Sequence, residues 1–329
     1  MDNLSLMTNF LFVTMVYSIP LLYATVGEIL TEKSGSLNLG VEGIMAVGGI
    51  FGYLIGAVFD SLFVGLLFSF VFAGILGLFF SFLTVTLQAN QNVTGLTITT
   101  FGTGLYFILR QGMTKIPKLS ELAGLKESVQ NIYIKGLSDI PIIGKMLFQQ
   151  NILVYLGIFI ALAAWAYLRF TKSGLKLRAV GENPAAADAV GVNINLYKYV
   201  HIIVGSGIMG LGGYYMAILM SGDFAGSSTI INGYGWIAIA LVIFVNWSPL
   251  TAIFGTFLFG LFRSLSIYNS GIAAAFPKMF GWLNNIPSQF YNMLPYVITA
   301  LVIIIASINK KKKEREPAAI GINYFREDR

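Results

Sequence analysis

Of 329 residues, 56% are hydrophobic and only 11% are charged. A soluble domain carries roughly 25% charged residues, so this chain cannot cover itself with polar surface in water and reads as an integral membrane protein. Its net charge of +6 gathers at the ends of apolar segments and speaks for topology rather than nucleic-acid binding. With no cysteine and a single histidine, disulfides, thiolate zinc sites and cysteine nucleophiles are excluded, and neither a cofactor nor a metal is expected.

Apolar runs near the ~20 residues needed to cross a bilayer fall at 8–30, 38–58, 61–87, 93–110, 152–169, 196–220, 232–247, 249–268 and 290–308. These predict an all-α polytopic membrane protein with about nine (eight to ten) transmembrane helices. No Lys or Arg precedes Lys33, so the first run lacks the basic start of a cleaved secretory signal and is expected to remain. The second run opens on SGSLNLGVEG (34–43), where Glu42 follows Asn38 by four residues. A carboxylate at that place either caps a helix at the interface or faces a polar cavity. Gly48, Gly52 and Gly56 are spaced by four on one helical face, which suits close helix packing. In the fourth run, NQNVTGLTITTFGTG (90–104) sets Thr94, Thr97, Thr100 and Thr103 three residues apart. That row winds around a helix and serves either as a polar path or as helix–helix contact, because threonine also bonds to its own backbone.

The polar region 111–151 contains SELAGLKESVQ (120–130) and SDIPIIGKMLF (138–148), which predict a small amphipathic helix on the membrane surface. In the next polar region, 170–195, the stretch RAVGENPAAADAVGVN (178–193) is built as a short capped helix. Asn183 is a favoured N-cap, Pro184 suits the first helical position, and Gly191 is a fitting C-terminal stop. Helices under ~12 residues are marginal in water, so this one needs a support or a docking partner. His201 stands at the start of a span with no second His or Cys to join it. GSGIMG (205–210) matches the dinucleotide fingerprint G-x-G-x-x-G, but inside an apolar span without a preceding strand it predicts helix packing instead. Arg263 is embedded in the eighth run, where a pairing role is expected. The run KKKKER (310–315) places the tail 309–329 in the cytoplasm, and with it 31–37 and 170–195; the N-terminus and 111–151 fall outside.

TEKSGSLNLGVEGIM (31–45), LKLRAVGENPAAADAVGVNI (175–194), GYGWIAIALVIFVNWSPLTAIFGTFLFG (233–260) and the tail EPAAIGINYFRE (316–327) resemble permease subunits of bacterial ABC importers. The resemblance covers nearly the whole chain and is nearest to the simple-sugar and nucleoside branch, related to ribose and branched-chain amino acid permeases. It implies a type II-like permease bundle, multi-pass in the bacterial cytoplasmic (inner) membrane, with no catalysis of its own. It also implies that the loop at 175–194 supplies a coupling helix, with Gly181, Glu182, Asn183, Pro184, Ala186, Asp188 and Gly191 against a cytoplasmic ABC ATPase subunit. A second homologous permease as heterodimer partner, an extracytoplasmic substrate-binding lipoprotein that docks near 111–151, and a small polar solute complete the implied assembly, with no nucleic acid.

A nucleoside is the expected solute, with a simple sugar or a branched-chain amino acid as the alternative. The expected solute path is Asn38, Glu42, Asn92, Thr94, Thr97 and Thr100. The rival reading, a stand-alone ion-coupled secondary transporter, requires a coupling carboxylate or cation site near the membrane midplane; Glu42 is the acidic group nearest to one. No catalytic set assembles for an intramembrane enzyme.

Overall fold

A computed structural model of the chain describes residues 3–113, 129–220, 229–308 and 316–325. The basic run 310–315 and most of SELAGLKESVQ lie outside them. In chain order the helices are α1 (Asn3–Glu32), α2 (Val41–Val58), α3 (Leu62–Ser81, continued by a π-helical turn Phe82–Thr86), α4 (Gln91–Met113), α5 (Ile143–Phe148), α6 (Ile152–Phe170) and α7 (Lys172–Glu182). They continue with α8 (Pro184–Ala189), α9 (Ile194–Leu219), α10 (Tyr234–Phe244), α11 (Pro249–Ala275), α12 (Pro277–Phe280, followed by a 3₁₀ turn Gly281–Asn285) and α13 (Ser288–Ile308). Among the described residues, six of these are long and apolar enough to cross a membrane: α1, α2, α3 with its π turn, α6, α9 and α11. The fold is all-α, as the apolar runs predict.

The centre of the bundle is α9, packed against α1, α2 and α3. Lipid tails are as apolar as leucine, so helices in a membrane associate through close packing of small residues. A Cβ on Gly48 of α2 would lie 2.4 Å from Gly210 Cα of α9, and one on Gly27 of α1 would lie 2.4 Å from the Gly205 carbonyl oxygen. A Cβ on Gly52 or Gly56 would meet Tyr214 and the backbone of Gly65 at 2.8 to 3.0 Å. GSGIMG is thus a helix-packing seam, and the glycines of α2 share the face that their spacing predicts.

One expected span is only half built. The run 232–247 yields eleven helical residues in α10, about 16 Å at 1.5 Å per residue, against a hydrocarbon core of ~30 Å. Gly233 stands before it in the left-handed region (φ +88°), and Asn246 and Trp247, both at φ +53°, end it. The segment before α2 is also non-helical, although Ser34, Ser36 and Asn38 are buried. A Cβ on Gly102, midway along α4, would meet the Gly43 carbonyl oxygen at 2.4 Å. The start of α2 therefore lies level with the middle of α4. The non-helical residues before it run beside the first turns of α4, where Leu37 N donates to Gln91 and a Cβ on Gly95 would meet Leu39 N at 2.6 Å.

Candidate coupling helix and solute path

The loop between α6 and α9 folds as two helices, α7 and α8, where the sequence suggested one. Thr171 caps α7, accepting from Gly174 N at 2.9 Å. The Asn183 side chain then caps α8, accepting from Ala186 N at 3.0 Å, with Pro184 in the first turn. At the other end Gly191 adopts φ +82°. Val192 N donates to Ala187 O (3.0 Å) and Gly191 N to Asp188 O (2.9 Å), the double closure of a Schellman motif. The support that so short a helix needs is a small apolar cluster of Val180, Ala187, Val192 and Ile194, with Tyr197 and Tyr324 packed on it. Gly181 is buried against the 33–35 turn, where a Cβ would meet the Lys33 carbonyl oxygen at 2.4 Å. Glu182, Asn183, Ala186, Ala189 and Val190 are exposed; Val190 retains 80% of its surface.

That exposure decides where topology is best read. Ala187 is 2% exposed, so a cysteine there is shielded from either side, whereas Val190→Cys reports the side alone. In this cysteine-free chain, Val190→Cys is expected to resist a membrane-impermeant maleimide in intact cells and to react in inverted vesicles. Labelling of intact cells would reverse the orientation.

The six polar residues of the expected path do not converge. Glu42 is buried at the start of α2 and bridges to the half-length helix: Oε1 accepts from Gly233 N and Oε2 from Gly235 N, both at 2.8 Å. It thereby caps the positive N-terminal end of α10. Asn38 is buried too; its side chain accepts from Gly40 N at 2.8 Å, and its own N–H donates to Glu28 at 3.2 Å. Both residues frame the non-helical backbone. On α4 the threonine hydroxyls turn back to the helix, Thr94 to Asn90 O (2.8 Å), Thr97 to Val93 O (2.8 Å) and Thr100 to Leu96 O (3.0 Å). Thr94 is buried, while Asn92, Thr97 and Thr100 are exposed on the outer face of α4.

A cavity of about 190 Å³ lies beside the start of α10 and was missed by reading polar residues alone. Its wall includes Tyr17 of α1, Asn232 and Tyr234 at the α10 entry, Phe259 and Arg263 of α11, and Tyr296 of α13. Tyr17 and Arg263 are near the midpoints of their helices. The Arg263 guanidinium carbon sits 5.8 Å from the Tyr17 ring centroid, a cation–π distance, and Arg263 hydrogen-bonds the Tyr234 side chain. The pairing expected of Arg263 is thus with aromatic rings and a phenol. The available sequence signal was Arg263, the one charged residue in its span. His201 is held by the Tyr167 hydroxyl at Nε2 (2.8 Å) and the Tyr197 carbonyl at Nδ1 (2.7 Å), a structural histidine inside the bundle.

The family described as "Branched-chain amino acid transport system / permease component" matches residues 9–307. The nucleoside ABC transporter permease protein NupC of Lactococcus lactis subsp. cremoris is 34% identical, over 95% of this chain and 95% of its own length. TsgC13 of Haloferax volcanii, provisionally named a glucose ABC transporter permease protein, is 30% identical over 93% and 94%. The guanosine ABC transporter permease protein NupQ of Bacillus subtilis is 30% identical over 99% of both chains. With a family match from residue 9 to residue 307 and relatives that align end to end, the chain belongs to the branched-chain amino acid transport system permease family.

Proposed function

We propose that this chain is the non-catalytic membrane permease of a binding-protein-dependent ABC importer in the bacterial cytoplasmic membrane, and that it carries a nucleoside. The observation that carries the reading is α8: a two-turn helix locked at both ends, seated on its own cluster, with Ala186 and Val190 turned outward. A rigid exposed helix between two long ones suits transmission of force from a separate ATPase subunit. Alternating access then follows if nucleotide binding stabilises one orientation of the bundle over the other. Gly181, Glu182, Asn183, Pro184, Ala186, Asp188 and Gly191 build this contact in the proposal. Asn183 and Gly191 shape it, and Ala186 touches the partner.

The names of NupC and NupQ support a nucleoside, and so does the cavity. An apolar cavity of about 150 Å³ admits benzene, so the 190 Å³ beside α10 accommodates one planar ring. Tyr17, Tyr234 and Phe259 offer faces for stacking, and Asn232 and Arg263 offer donors to ring nitrogens and carbonyls. A sugar would use the aromatic faces less well. Glu42 holds the α10 entry that forms one wall of this seat, and Asn38 orders the turn before α2. The exposed face of α4, where Asn92, Thr97 and Thr100 stand among Val93, Leu96 and Phe101, faces a second permease subunit across the path, in a heterodimer. The extracytoplasmic binding lipoprotein docks around 129–151. An ion-coupled transporter is less well supported, because both oxygens of Glu42 already accept backbone amides.

The docking test uses residues free of internal work. Ala186→Arg combined with Val190→Glu is expected to leave membrane insertion intact, to prevent co-purification of a P-loop ATPase subunit and to cut uptake by roughly tenfold or more. Undiminished uptake would remove the coupling assignment. Competition for uptake among nucleosides, pentoses and branched-chain amino acids in the complete complex tests the solute, and inhibition by pentoses alone would move the assignment to sugars.

A further inference from the structure

The C-terminal segment 316–325 returns to the bundle 127 residues after the end of α8 at Ala189 and bonds to three separate elements. It reaches the coupling loop first. Ala319 N donates to Gly181 O (2.9 Å), Ala318 N to a Glu182 carboxylate oxygen (3.4 Å), and the Tyr324 hydroxyl to Asp188 Oδ2 (2.8 Å). It reaches the turn before α2 through Gly321 N, which donates to Gly35 O at 3.3 Å. Finally it reaches the corner between α3 and α4. Asn323 Nδ2 donates to Gln88 O (2.7 Å) and Ala89 O (3.3 Å), Gln88 Nε2 donates to Tyr324 O (3.4 Å), and Gln91 Nε2 donates to Asn323 Oδ1 (3.0 Å).

Gln91 doubles the tie. Its Oε1 accepts from Leu37 N at 2.7 Å, so one buried side chain joins α4, the turn before α2 and the tail. The Tyr324 ring packs on the cluster that supports α8, and Pro317 and Ala319 are buried. Tyr324 and Phe325 also form one wall of a polar groove of about 700 Å³, whose other walls are the end of α8 and the π turn after α3. A tail that served only to end the chain would have no need to meet three elements distant in sequence through both backbone and side chains.

We propose that residues 316–325 are a clasp that makes α8, the turn before α2 and the α3–α4 corner move as one body. Force received at α8 then passes to α2, α3 and α4 as well as to α9, its direct continuation. Tyr324 and Asn323 are positioning residues in this role. The proposal rests on the reading of α8 as the ATPase contact.

The test is made in the full complex, with permeases, ATPase and binding protein reconstituted in lipid nanodiscs or proteoliposomes. Asn323→Ala with Tyr324→Phe keeps the packed ring and removes its bond to Asp188 together with the Asn323 side-chain bonds to Gln88 O, Ala89 O and Gln91, leaving the bond from Gln88 Nε2 to the Tyr324 carbonyl. The expected result is unchanged co-purification of the ATPase and unchanged basal hydrolysis. Uptake and binding-protein-stimulated hydrolysis should fall by about fivefold or more, the span of a typical coupling between sites. Reactivity of Ala187→Cys toward a maleimide should rise in the same variant, since the cover over the cluster is loosened. Unchanged uptake, or an equal fall in basal and stimulated hydrolysis, would overturn the clasp.

Tyr324→Phe alone and Asp188→Ala alone provide the second arm, because the first deletes the hydroxyl donor and the second its acceptor. Their effects on stimulated hydrolysis should not add in the double variant, since both remove the same bond; additive effects would count against the clasp. If the wild-type chain neither binds an ATPase nor supports ATP-dependent uptake, the coupling reading and the clasp fall together. A working wild type with indifferent variants overturns the clasp alone.

Discussion

Glu42→Ala is expected to destabilise the whole bundle and not merely to slow transport. The change leaves two backbone N–H groups, Gly233 and Gly235, without the carboxylate oxygens they reach at 2.8 Å. Each buried hydrogen bond to a charged group contributes about 1.5–3 kcal/mol, and the donors lie where water is scarce, so about 3 kcal/mol or more is lost. α10 would be released at its N-terminus, and the cavity wall at Asn232 and Tyr234 with it. Glu42→Gln retains one carbonyl acceptor and should fall between wild type and alanine. Thermal unfolding of the detergent-solubilised chain, followed by size-exclusion chromatography, separates the three. An alanine variant with wild-type stability and reduced uptake would instead return Glu42 to direct solute contact.

The second large effect is steric. A Cβ on Gly213 of α9 would stand 1.9 Å from the Met45 carbonyl oxygen and 2.7 Å from its carbon. Those are backbone atoms of α2, and no rotamer change relieves them. Gly213→Val should therefore force α2 and α9 apart and abolish the folded product. Gly213→Ala should already cost more than the roughly 1–3 kcal/mol typical of overpacking. Gly104 provides the contrast: it lies within α4, and a Cβ there meets nothing within 4 Å. Gly104→Ala should be neutral or stabilising by up to ~1 kcal/mol, since alanine favours the helix. Equal yields of the Gly213 and Gly104 variants in a fluorescence-detected solubilisation assay would disprove the packing argument.

The contrast between those two glycines shows what a local pattern conveys. Spacing by four predicted that Gly48, Gly52 and Gly56 share a face, and they do. Spacing alone did not reveal which partner they meet, or that Gly104 meets none. Capping chemistry was equally legible. Asn183, Pro184 and Gly191 act within a few residues of themselves, so their roles at the ends of α8 follow from residue type. The helix before it, α7, was overlooked because Lys172–Glu182 is short and mixed in polarity, with no apolar period to draw notice. The threonine row left two readings open, a polar path or helix–helix contact with hydroxyls bonded to their own backbone, because periodicity shows where side chains point and not how they are satisfied. In the helix the hydroxyls of Thr94, Thr97 and Thr100 reach back four residues to their own carbonyls.

Composition and apolar run length were enough for a helical membrane protein. They impose that answer because hydrocarbon requires every backbone group to be satisfied within its own segment, and length against bilayer thickness sets the helices. The same rule cannot say where a run stops being helical. The residues 232–247 are apolar throughout most of their length, yet only Tyr234–Phe244 is helix. Its limits come from Glu42, some 190 residues earlier, and from Trp247, whose indole donates to Glu32 on α1. The clasp of 316–325 on α8 and α4 is of the same kind, as is the cavity that joins Tyr17 to Arg263 and Tyr296. Local order in this protein follows from residue type and spacing over a few positions. Its proposed solute seat and coupling unit depend on contacts between positions far apart in the chain, and only the packed bundle brings those together.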